Sequence, residues 1–177
     1  MTLVRWLGQA SLVLALMLPM ALSAEPASES DPASAAPVLG IEVLLAEPLT
    51  LLRGKRIGLI TNTTGVDREL RSSIDLLAKH PDLQLVALFG PEHGVRGNAQ
   101  AGEKVGASVD AATGLPVFSL YGEHREPTAE MLQGIDVLLF DIQDVGARVY
   151  TYPYTLAGAM RAARRAGIPV VVLDRPH

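Results

Sequence analysis

None of the 177 residues is cysteine, which removes disulfide staples, thiolate-ligated zinc, iron–sulfur clusters and a cysteine nucleophile at once. Positive charge is also in short supply. Fifteen lysines and arginines against 19 aspartates and glutamates leave a formal charge of −4, so the cationic field behind nonspecific nucleic-acid binding is missing and no nucleic-acid partner is expected. Apolar runs are short: Leu12–Leu22, interrupted by Pro19, falls below the ~20 residues that span a bilayer. There is no Gly-x-Gly-x-x-Gly after an apolar strand, no Walker A lysine loop and no Gly-x-Ser-x-Gly elbow. Dinucleotide, nucleoside triphosphate and serine-hydrolase chemistries thereby lose their main support. What remains is 49% hydrophobic, with a mean hydropathy of +0.26, and is too apolar to be disordered throughout.

The first two dozen residues read as an address. Arg5 precedes the Leu12–Leu22 run, and the small residues of Ala21-Leu22-Ser23-Ala24 follow it, the order of an export signal cleaved after Ser23 or Ala24. Residues 1–24 are thus expected to be a signal peptide, and the protein to be exported, periplasmic or extracellular, with no stable membrane anchor after cleavage. Residues 25–37 are rich in Pro, Ser, Ala and acid and lack aromatic or branched aliphatic side chains, so a disordered linker is expected there. The folded domain then spans residues 38–177.

Within that domain, apolar runs alternate with helical patterns. Arg56–Asn62 is continuously apolar and ends in Thr63-Thr64-Gly65, as befits a strand covered on both faces. Ile74, Leu77 and Ala78 recur at helical spacing behind Ser72-Ser73, a cap signal. Further strands are predicted at Leu83–Phe89, Val137–Asp141 and Val170–Leu173, and a helix bearing Leu156, Ala159, Met160 and Ala163 on one face, stopped by Gly167 and Pro169. A helix from Gly40 to about Leu52 is expected in front, and Gly90–Tyr121 reads as a long functional loop with a short strand at Pro116–Leu120. The pattern predicts an α/β fold, a Rossmann-like or flavodoxin-like, mostly parallel sheet with helices on both faces, preceded by signal peptide and linker.

Such sheets bind ligands beyond the carboxyl ends of their strands. The residues that follow the predicted strands are Asn62 to Gly65, Gly90-Pro91-Glu92-His93-Gly94, Asp141-Ile142-Gln143-Asp144 and Asp174-Arg175. All four groups are polar, although such residues also cap helices and form turns. Glu92 stands out, held between Pro91 and His93 with glycines at 90 and 94. A carboxyl fixed in a tight turn beside Phe89 suits a general acid, whose pKa such a setting raises. Asp141, Asp144, Arg148, Tyr150 and Tyr152 bring carboxylates, a guanidinium and phenols into one stretch. A metal set of Glu92, His93, Asp141 and Asp144 lacks recognised ligand spacing, so neither metal nor cofactor is expected.

From Gly40 onward the chain resembles the N-terminal part of the NamZ-type exo-β-N-acetylmuramidases, glycoside hydrolase family 171, formerly a domain of unknown function. The resemblance is carried by Gly54-Lys-Arg-Ile-Gly-Leu-Ile-Thr-Asn62 with Thr64-Gly65, Phe89-Gly-Pro-Glu-His-Gly94 with Arg96-Gly97, Leu115 to Gly122, Asp141-Ile-Gln-Asp-Val-Gly-Ala-Arg148 with Tyr150-Thr-Tyr152, and Leu173-Asp-Arg-Pro176. It implies release of N-acetylmuramic acid from the non-reducing end of peptidoglycan fragments, with Glu92 as catalytic acid and a tyrosine of Tyr150-Thr-Tyr152 in the same cleft.

An oxocarbenium-like transition state needs a proton on the leaving oxygen and stabilisation of the anomeric carbon. Glu92 fits the first task. For the second, Asp141 or Asp144 as base or nucleophile, a tyrosine nucleophile, and the substrate's own 2-acetamido group oriented by a carboxylate all stay open. Arg96 or Arg148 is expected to pair with the lactyl carboxylate of the sugar. Asn62, Thr64, His93, Gln143, Asp174 and Arg175 complete the expected substrate-binding set, with peptidoglycan-derived muropeptides as partners.

The resemblance implies that family members continue beyond the Leu-Asp-Arg-Pro run into a further domain, which is expected to be absent from this chain. Self-association, or a role as a muropeptide-binding module without turnover, is therefore the alternative expectation. A metal-dependent hydrolase ranks third.

Overall fold

The computed structural model describes residues 37–46, 50–97, 108–147 and 149–176. The expected signal peptide and nearly all of the expected linker lie outside these residues, as does Arg148.

Nine elements follow one another: α1 (Gly40–Ala46), β1 (Arg56–Thr61), α2 (Ser73–Lys79), β2 (Gln84–Gly90), β3 (Ser108–Val109), β4 (Pro116–Ser119), β5 (Val137–Asp141), α3 (Tyr152–Ala166) and β6 (Val170–Val172). The strands form one sheet in the order β3-β4-β2-β1-β5-β6. All neighbours run parallel except β3, which pairs antiparallel with β4. Without β3, the five parallel strands follow the order of Rossmann-type doubly wound sheets rather than the flavodoxin order.

Two apolar cores lie on opposite faces, and strand parity assigns side chains between them. Ile57 and Leu59 of β1 and Val137 and Leu139 of β5 pack with Ile41 of α1 and Ile74 and Leu77 of α2. Ile60 and, from β5, Leu138 and Phe140 pack with Ala159, Ala162 and Ala163 of α3. Burial on both faces explains why the central strands read as unbroken apolar runs.

Helix termini obey local chemistry. Ser72 caps α2 by accepting a hydrogen bond from the backbone N–H of Ile74 at 3.3 Å. Gly167 ends α3 in the left-handed conformation, and its N–H and that of Ile168 satisfy the last carbonyls. In α1, Glu42 reaches back to the N–H of Leu39 at 3.1 Å, half of a capping box.

Three expectations need correction. The first helix ends at Ala46 instead of near Leu52; Pro48 lacks an N–H and disfavours helical geometry in the residue before it. The 90–121 stretch contains a strand pair, because two-residue β3, exposed at both positions, carries no readable periodicity. Met160 is exposed rather than core-facing, while α3 starts earlier than its apolar spacing suggested, at Tyr152.

Candidate active site

Parallel strands place their carboxyl ends on one rim, and the chain changes direction there between β1 and β5. Leaving β1 it builds β2 and β4 on one side; it then crosses back to place β5 and β6 on the other. This crevice is where doubly wound sheets bind ligands. A hydrogen-bonded chain closes it. Thr64 donates its backbone N–H and its hydroxyl to Asn62 Oδ1, at 2.9 and 2.6 Å. Its hydroxyl oxygen also accepts the Gln143 backbone N–H at 2.8 Å. The Gln143 amide in turn donates to the carbonyls of Asp144 and Pro176, each at 2.9 Å. Gly65 is required at this crossing: a Cβ would collide with the Thr61 hydroxyl and come within 3.0 Å of the Asp141 carbonyl.

Glu92 projects from a tight turn directly after β2. The Gly94 N–H donates to the Pro91 carbonyl at 3.0 Å, leaving Glu92 and His93 as the two central residues. His93 has φ = 71°, as the second central position of a type II turn requires. That conformation costs a non-glycine residue roughly 1–2 kcal/mol, and it fixes the direction of the neighbouring carboxyl. Gly90 lets the turn fold back tightly, since a Cβ there would lie 3.0 Å from Gly94 Cα and Val95 N.

Glu92 is half-buried and lines a cavity of about 580 Å³ together with Tyr121, Arg125, Thr151, Tyr154 and Arg161. Tyr121 lines the cavity beside Glu92, and its pKa is raised above 10.0 by interaction with the Glu92 carboxyl, hydrogen bonding first and charge second. Tyr152, at the start of α3, is half-buried. Its hydroxyl is raised mainly by burial, also by Tyr150, Glu92 and Asp144, against a lowering hydrogen bond from Asn62. The rings of Tyr150 and Tyr152 lie 5.5 Å apart. Tyr152 therefore lies within electrostatic reach of Glu92, Asp144, Asn62 and Tyr150, groups that come from the ends of three strands and the approach to a helix.

Asp144 also lines a smaller cavity, about 190 Å³, with Tyr152, Asp174 and Arg175. Its Oδ1 is inaccessible and has no hydrogen-bond partner among the described residues. A buried acceptor left this way is costly unless a donor arrives from outside.

Other expected site residues are used differently. Asp141 is fully buried, gripped by Arg175 at 2.6 and 3.0 Å and bonded by the Ser73 hydroxyl. Parity explains this: Asp141 follows Val137 and Leu139 on the α2 face, whereas the Glu92 cavity is lined by residues of α3 on the other face. Arg175 is itself buried and donates to the Val66 carbonyl at 2.8 Å, so neither member of the pair is open to a sugar. Arg96 is likewise engaged on the α2 side, by Asp110 at 2.5 and 3.0 Å and Asp75 at 2.8 Å. Asp174 is exposed and accepts the Arg175 backbone N–H at 3.0 Å. His93 is exposed at the turn.

Of the polar cavity lining only Glu92 was in the expected site set; Tyr121, Arg125, Thr151, Tyr154 and Arg161 were not. Tyr121 lies two residues beyond β4, so the strand-end rule that singled out Glu92 would have found it; Arg125 sits in a charged loop with no distinguishing signal. Among the described residues no group of His, Asp and Glu side chains converges as metal ligands do.

Against this geometry, residues 57–177 match the family model described as "Exo-beta-N-acetylmuramidase NamZ, N-terminal". The chain belongs to that family. It is 57% identical over 158 residues to the peptidoglycan beta-N-acetylmuramidase NamZ of Bacillus subtilis (strain 168), covering 89% of this chain and 38% of the relative. Two crystal structures of DUF1343 family proteins from Bacteroides fragilis NCTC 9343 share the fold. One superposes with a TM-score of 0.72 at 53% identity, covering 78% of this chain and 34% of the other. The second gives 0.65 at 34% identity, covering 79% and 35%. The chain thus spans little more than a third of the length of the relatives it matches.

Proposed function

We propose that this chain carries the acid side of a peptidoglycan glycosidase site, in which Glu92 protonates the leaving oxygen as terminal N-acetylmuramic acid departs from peptidoglycan-derived fragments. The observation that supports the reading is the placing of Glu92 and Tyr121 in one cavity, with Tyr152 in electrostatic reach of both Glu92 and Asp144, at the strand ends where this sheet type binds ligands. A carboxyl aimed by a strained turn into a cavity of about 580 Å³ has the room and the direction that proton delivery to a saccharide needs.

Asp144 is the second acidic group in this reading. Its Oδ1, without a hydrogen-bond partner among the described residues, is suited to accept the N–H of the sugar's 2-acetamido group, holding the acetamido oxygen toward the anomeric carbon, or to meet the positive charge that develops there. Asn62 and Tyr150 support Tyr152 at the cleft wall, and Thr64 and Gln143 brace Asn62. Asp141 and Arg175 act below the site as its foundation. The substrate lies outside the cytoplasm, in keeping with the export signal read at residues 1–24 and an extracytoplasmic location.

The test is release of free sugar from a chromogenic N-acetylmuramide by the purified chain and by Glu92→Gln, with binding followed by calorimetry. Turnover lost in Glu92→Gln while binding persists supports the assignment. Binding without turnover by the unaltered chain identifies a muropeptide-binding module instead. Turnover unchanged in Glu92→Gln overturns the role given to Glu92.

A further inference from the structure

We propose that Arg125 is the cation that selects an acidic sugar in the Glu92 cavity, its guanidinium pairing with the carboxylate of the bound ligand. The inference rests on the reading of this cavity as a saccharide site and adds the group that decides which saccharide. A carboxylate entering a cavity walled by a second acidic side chain, Glu92, needs a cation facing it to stay.

The arginines differ sharply in availability. Arg96 has its fork filled by Asp110 and Asp75, and Arg175 is buried on Asp141. Two guanidinium groups line the cavity, those of Arg125 and Arg161. Arg161 shares Glu126 with Arg165, at 3.3 and 2.7 Å respectively. Arg125 is exposed and has no carboxylate within ion-pair distance among the described residues. It therefore presents an unspent planar fork, the geometry that matches a carboxylate with two parallel hydrogen bonds. Its charge also reaches the Tyr121 hydroxyl, the partner of Glu92, where it acts to lower the pKa that Glu92 raises. Anion recognition and the acid thus sit on the same wall. N-acetylmuramic acid differs from N-acetylglucosamine by a lactyl ether ending in a carboxylate, so one open guanidinium suffices to tell them apart.

The experiment titrates the full chain, Arg125→Met, Arg125→Lys and the control Lys79→Met with N-acetylmuramic acid, its methyl ester and N-acetylglucosamine, at low and high salt. Lys79 is exposed at the end of α2, by the amino ends of the strands. The unaltered chain and Lys79→Met are expected to prefer the acid over both neutral sugars by about tenfold, less so in high salt. Arg125→Met should bind all three alike, and Arg125→Lys should keep part of the preference, since it retains charge but not the fork. Arg125 makes no ion pair among the described residues, so its variants should unfold at the wild-type midpoint.

A preference that survives in Arg125→Met overturns the proposal while leaving the saccharide site intact. Equal binding of the acid and its methyl ester by the unaltered chain does the same without any variant. Failure of the unaltered chain to bind any of the three sugars overturns the saccharide site itself, and the role of Arg125 falls with it.

Discussion

Arg175 holds Asp141 through both carboxylate oxygens, at 2.6 and 3.0 Å, inside a part of the protein where the acid has no accessible surface. Two aspartates three residues apart, Asp141 and Asp144, consequently do opposite work. Removing one partner of a buried pair strands the other charge, at a cost of about 3–5 kcal/mol. Asp141→Asn is expected to lower unfolding stability by roughly that amount, whereas Asp144→Asn should change it by less than about 1 kcal/mol and weaken sugar binding instead. Urea denaturation of both variants, beside calorimetric binding, checks the contrast; equal destabilisation would remove the distinction drawn between them.

The Tyr121–Glu92 contact has a spectroscopic signature. With Glu92 ionised, the Tyr121 phenol gives up its proton only by losing that bond and placing a second negative charge beside the first, so it titrates above ordinary tyrosines. Glu92→Gln should bring one phenolate transition down toward 10, read by ultraviolet absorbance, and Tyr121→Phe should delete the same transition. An unchanged tyrosine titration in Glu92→Gln would break the link.

Two solvent-accessible forks contribute to acid sensitivity, beside the lowered carboxyls of Asp67, Asp110, Glu126 and Glu130. Hydrogen bonds from the Arg56 guanidinium hold Asp136 down to about 2, and those from Arg68 hold Glu42 down to about 2, from ordinary values of 3.8 and 4.5. Because these acids titrate lower in the folded protein, their contribution is complete above the ordinary values and is lost as pH falls from there through 2. The thermal midpoint should drop between about pH 4.5 and 2. An Asp136→Asn, Glu42→Gln double variant should show a shallower drop in that window and an unchanged slope above it. Both pairs face solvent, so salt should weaken the effect.

Much of the scaffold was legible because β1, β2 and β5 are buried on both faces and read as apolar runs, and because Ser72 and Gly167 mark helix ends by their own chemistry. The turn that carries Glu92 was legible too, from its flanking glycines behind a strand. The same double burial concealed the role of Asp141. Where both faces are apolar, residue type no longer tells which way a strand residue points, and only the packed helices reveal that Asp141 faces α2. Arg96 was misread for a related reason. Its partners Asp75 and Asp110 lie 21 and 14 residues away, and local spacing carries no trace of either.

The crossing between β1 and β5 joins residues far apart in the chain: Thr61 donates to the carbonyl of Asp141, 80 positions later, and Arg175 braces the same aspartate from still further on. Nothing local anticipates that closure, and the entropy of bringing such distant segments together must be met before any of its contacts is gained. A polypeptide severed before Arg175 loses the brace on Asp141, so that support is gained only once the chain has passed β6.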